Sequence, residues 1–104
     1  MTEKITNRDK LTSPGYGAIR SPGGLGALAR AERKRQQLTL DAIYSTTGLS
    51  TRFLSEFERG KPNASLGRVM EALQALGLEM VVLPRETAQR FLARQASEEK
   101  SSDA

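Results

Sequence analysis

The sequence predicts an all-α fold of four to five short helices with one C-terminal strand, and three observations predict it. Residues that begin and end helices recur at short intervals: Ser21–Pro22, Thr39, Gly48, Ser50, Gly60, Ser65 and Gly77. Between them, apolar residues follow the helical period. One run rich in β-formers, residues 78–83, has no second run to pair with.

The first helix begins at the Ser21 cap, with Pro22 suited to a first helical position, and carries Leu25, Leu28 and Ala29 on one face through about Gln37. Gly23, Gly24 and Gly26 weaken its first turn. Thr39 caps a second helix, with Asp41 near its positive end and Leu40, Ile43 and Tyr44 as its buried side. Gly48 stops it. Ser50 caps the third helix, whose Leu54 and Phe57 face inward until Gly60 ends it before Pro62. Ser65 starts the fourth, where Leu66, Val69, Met70, Leu73 and Leu76 give the strongest periodicity in the chain. Met70 and Met80 are expected in the core. The segment Leu78, Glu79, Met80, Val81, Val82 and Leu83 reads as a strand between Gly77 and Pro84. Its backbone groups need a partner, and the simplest is the same segment of a second copy, across a two-fold axis. Residues 86–99 have a modest apolar face of Ala88, Phe91 and Leu92, expected as a loosely held fifth helix before a frayed polar tail.

With 104 residues the chain is one small domain whose thin core makes a homodimer plausible. Its expected organisation is a flexible arm over 1–20, a helical domain over 21–84 with the dimerisation strand 78–83, and a weak helix with a polar tail over 85–104. There is no cysteine and no histidine, which excludes zinc fingers, thiol nucleophiles and histidine bases. No enzyme activity, cofactor or metal is expected. No apolar run approaches the ~18 residues of a membrane span, and MTEKITNRDK lacks the apolar segment of a secretory signal, so the expectation is a cytoplasmic protein. The net charge of +4 is uneven: +2 over residues 1–20, +3 over 21–62, −1 over 63–84 and zero over 85–104. The basic half is the half expected to meet phosphates, with an affinity that falls steeply with salt.

Two short helices around Gly48, locked by Ile43, Leu49, Leu54 and Phe57, have helix-turn-helix spacing. A third helix laid in a major groove presents Thr51, Arg52, Ser55, Glu56 and Arg59 outward. Arg52 suits a bidentate hold on guanine, Thr51 a base or a thymine methyl, and Glu56 the amino group of cytosine. Phosphate contacts are expected from Arg30, Lys34, Arg35, Thr39, Ser50, Arg59, Lys61 and Asn63, with helix N-termini adding backbone donors. Each also has a plainer reading: basic runs are commonly solvated helix faces, and every exposed helix has a polar side. Phe53 is open to packing, to contact with thymine methyls, or to a protein partner.

Over residues 25–83, LGALARAERKRQQLTLDAI and GLSTRFLSEFERGKPNASLGRVMEALQALGLEMVV resemble the lambdoid-repressor-type (Xre) helix-turn-helix family, most closely its HipB-like antitoxin repressors. The run Ile19 to Pro22, I-x-S-P, is similar to that branch as well. The resemblance implies a repressor-type helix-turn-helix domain, an Arg33–Glu58 pair tying helix one to helix three, and a strand that forms an intermolecular lid. It also implies a function: a transcriptional repressor of an inverted-repeat operator that autoregulates its operon and neutralises a HipA-like kinase toxin. Two positions depart from the pattern. Tyr44 replaces a small alanine, so either the helices spread or the ring turns outward. Leu40 replaces a phosphate-binding glutamine, so that anchor does not carry over. The alternatives are a phage-type repressor without a toxin, and a protein-interaction adaptor with vestigial DNA binding that uses its C-terminal segment.

Overall fold

The computed structural model describes residues 17–103, with side chains described for residues 17–97. Residues 1–16 of the expected arm lie outside the described residues. Five helices are present among the described residues: α1 (Pro22–Arg35), α2 (Leu40–Thr47), α3 (Thr51–Glu58), α4 (Leu66–Ala75) and α5 (Arg85–Asp103). The first four belong to one compact unit, Ile19–Met80, and α5 to another. None of the helices is long and apolar enough to cross a membrane.

A hydroxyl starts each helix of the first unit by accepting an amide that has no partner inside the helix. Ser21 Oγ accepts from Gly24, Thr39 Oγ1 from Ala42 and Ser50 Oγ from Phe53, each at 3.0 Å, and Ser65 Oγ from Arg68 at 3.4 Å. Burial then selects one face of each helix. Ala29, Ile43, Leu49, Leu54, Phe57, Val69, Ala72, Leu73 and Leu76 form the core, where α1 packs on α3, and α2 on α3 and α4.

The glycine expected to weaken the first turn of α1 is what lets that helix seat. A Cβ on Gly26 would stand 2.3 Å from the Phe57 carbonyl oxygen and 2.8 Å from that of Glu58, so only glycine allows α1 to approach the end of α3 this closely.

Several expectations are corrected. In α4 the buried face is Val69, Ala72 and Leu73, continued by Leu76, while Leu66 and Met70 are exposed. The small Ala72 joins the core, and Met70 and Leu66, which the helical period places on the inward face, do not. Met70 and Met80 are 43% and 44% exposed and are not core. Tyr44 turns outward and is 51% exposed, leaving Ile43 as the buried residue of α2. Residues 78–83 make no ladder among the described residues; Leu78 packs against the core, while Val81 and Val82 are 72% and 88% exposed. The fifth helix extends to Asp103 in place of a frayed tail. Its residues are mostly good helix formers, and Glu86 and Arg90 pair one turn apart at 3.8 Å.

Candidate nucleic-acid interface

The turn between α2 and α3 is built from three adjacent residues. Gly48 takes φ +80° and donates its N–H to the Tyr44 carbonyl at 2.7 Å. Thr47 Oγ1 donates to the Ile43 carbonyl at 2.8 Å and accepts from the Leu49 amide at 3.0 Å. Leu49 is buried beyond it. A left-handed residue reverses the chain in minimal space, so α3 leaves at an angle with Leu54 and Phe57 inside.

Its opposite side faces solvent. The Arg52 side chain is 88% exposed, Arg59 is exposed, and Thr51, Ser55 and Glu56 are partly so. Arg52 Nε lies 3.3 Å from Glu56 Oε2, and Lys61 Nζ lies 3.0 Å from Glu56 Oε1. The hydrogen bond from Lys61, and then that from Arg52, hold the Glu56 carboxyl below its ordinary range. Arg59 Nη1 donates to Ser55 Oγ at 3.0 Å. Phe53 is half-buried, its ring stacked on Phe57 at 6.4 Å between centroids, so of its three possible roles packing is the one seen.

Arg33 meets Glu58 through two bonds, Nε to Oε2 at 2.7 Å and Nη2 to Oε1 at 3.0 Å, and its Nη1 donates to the Leu38 carbonyl at 2.8 Å. The hydrogen bond that Arg33 donates to Glu58 raises the guanidinium above its ordinary value against the opposing effect of burial. This fork joins α1 to α3 and occupies both oxygens of Glu58.

Of the expected phosphate contacts, Arg30, Lys34, Lys61 and Asn63 are exposed, and Thr39 and Ser50 cap α2 and α3. Arg35 is exposed as well, and it is ion-paired. Its Nη2 and Nε lie 2.5 and 3.0 Å from the carboxylate of Glu32, which is 3% exposed. Gln36 Nε2 donates to the same carboxylate at 2.6 Å and to the Leu76 carbonyl at 2.8 Å, bridging the end of α1 to the end of α4. Sequence reasoning missed this group. Its signal was an acid three and four residues ahead of an arginine and a glutamine, on the face that also holds Leu28 and Ala29.

No protein-family model matches the sequence. The HTH-type transcriptional regulator y4mF of Sinorhizobium fredii (strain NBRC 101917 / NGR234) is 40% identical over 65 residues, which cover 62% of this chain and 86% of that protein. The chain belongs to the HTH-type transcriptional regulators. The fold of this HTH regulator is that of HipB. It matches HipB in the HipB-O4 20mer complex with a TM-score of 0.64 at 24% identity, over 67% of the regulator and 99% of HipB. It matches a chain of the HipA-HipB-O2-O3 complex with a TM-score of 0.63, at the same identity and coverage. The HipB-like resemblance read from residues 25–83 therefore holds at the level of fold.

Proposed function

We propose that this HTH regulator is a sequence-specific transcriptional repressor that binds an inverted-repeat operator as a homodimer in the cytoplasm, autoregulates its operon, and serves as antitoxin to a HipA-like kinase. The observation that carries the DNA reading is the outward face of α3: it joins an exposed arginine to small polar residues on a helix whose other side is locked into the core. Arg52 takes a guanine through O6 and N7, while Thr51 and Ser55 meet neighbouring base edges. Arg30, Lys34, Arg59 and Asn63 meet phosphates in any duplex and Lys61 only in the operator complex, with Thr39 and Ser50 hydroxyls at the starts of α2 and α3. Arg35, paired with Glu32 yet 53% exposed at its side chain, meets phosphate beside them.

The dimer is supported by residues 78–83, whose Met80, Val81, Val82 and Leu83 are exposed and whose backbone makes no ladder among the described residues. Pairing with a second copy covers them and sets two α3 helices on half-sites about 34 Å apart, or a multiple of it. The kinase partner is supported by the likeness to HipB, which is found with HipA in a solved complex.

Selection of duplexes from a random library by the full chain yields the operator, and binding is then compared for the unaltered protein and Arg52→Ala. The substitution weakens operator binding by ~1 to 3 kcal/mol and relaxes preference at one base pair per half-site. An equal loss on random duplex contradicts the role given to Arg52. For the antitoxin role, co-expression with the HipA-like kinase of the same organism relieves the growth arrest that the kinase imposes. Unrelieved arrest leaves a repressor without that partner.

A further inference from the structure

A carboxylate on a surface that meets a duplex repels phosphates, so Glu56 on the outward side of α3 calls for a return. Both of its oxygens are held by cations: Oε2 by Arg52 Nε at 3.3 Å and Oε1 by Lys61 Nζ at 3.0 Å. The atom that Arg52 uses matters. The bond to Glu56 uses Nε and leaves Nη1 and Nη2, the fork that matches guanine O6 and N7, on a side chain that is exposed. An arginine as exposed as Arg52 otherwise samples many rotamers and loses that freedom on contact. Lys61 carries a compact charge with no base code of its own; on Glu56 it is partly neutralised and withheld from generic phosphate attraction.

We propose that Glu56 is a positioning residue for specificity, orienting Arg52 toward a guanine while holding Lys61 back from non-specific phosphate contact. The inference rests on the reading of α3 as the base-contacting helix. It differs from a direct contact between Glu56 and cytosine, because its effects run through two cations and not through one base.

The test uses the full chain, the duplex it selects from a random library, and a random duplex, with affinity measured across a salt series. Glu56→Ala steepens the salt dependence on random duplex by about 0.9 in log–log slope per protomer, the increment of one further phosphate contact. It also lowers the ratio of selected to random affinity by about tenfold, within what one bidentate arginine–guanine contact contributes. Glu56→Gln, which keeps the side-chain length, moves both readouts in the same direction. In the double variant Glu56→Ala/Lys61→Met the slope returns to that of the unaltered protein while the ratio stays low, which separates the two cations. Unchanged slope and ratio in Glu56→Ala overturn the inference, as does loss of preference at a single base pair with the slope unmoved, the pattern of a direct base contact. If the unaltered chain selects no duplex at all, the operator reading fails and the inference with it.

Discussion

Gly26 shows a single residue deciding how two helices meet. Replacing glycine by alanine inside a helix ordinarily gains about 1 kcal/mol. Here the added methyl would meet the backbone oxygens of Phe57 and Glu58 at 2.3 and 2.8 Å, and backbone cannot swing aside as a flexible side chain can. Overpacking of this kind costs about 1 to 3 kcal/mol or more, so the clash outweighs the propensity. Gly26→Ala is therefore expected to lower stability in denaturant unfolding by about 2 kcal/mol; an unchanged or raised midpoint would show that α1 can move off α3. Nothing local in the sequence announces this contact, because the clashing atoms lie over thirty residues away. The caps at Ser21, Thr39, Ser50 and Ser65 are the opposite case. Each is settled by a hydroxyl and an amide three residues on, and each was legible for that reason.

At the scale of elements, the helix-turn-helix was readable because Gly48 and the Ile43, Leu49, Leu54 and Phe57 set act within a short span. The burial of α4 was less so: Ala72 takes a core position and Met70 does not, since fit against α2 and not hydrophobicity alone chooses the inward face. The segment 78–83 raises the same issue in a sharper form. Its Met80, Val81, Val82 and Leu83 are exposed while Leu78 packs inward. Val81→Pro removes a donor from the proposed ladder, and at 72% exposure the site has little packing within the chain to lose. Sedimentation is expected to shift from dimer to monomer while the helical circular dichroism is kept. A variant that stays a tight dimer would place the subunit contact elsewhere.

For the whole molecule, the excess positive charge falls on residues 1–62, the part that contains the helix-turn-helix, while the core beneath it fixes which side of α3 is wet. The buried fork of Arg33 on Glu58 and the bridge from Gln36 to Leu76 tie α1 to both α3 and α4, so α3 is presented from a braced scaffold. That arrangement suits recognition by a rigid helix face, with sequence preference set by few side chains and overall affinity by many phosphate contacts. The most direct measurement of this account is an amide-resolved NMR titration of the full chain with its selected duplex. The largest shifts are expected on Thr51, Arg52, Ser55 and Glu56, with smaller ones at the starts of α2 and α3 and around Lys61. Shifts gathered on α4 or α5, with α3 unmoved at saturation, would contradict it.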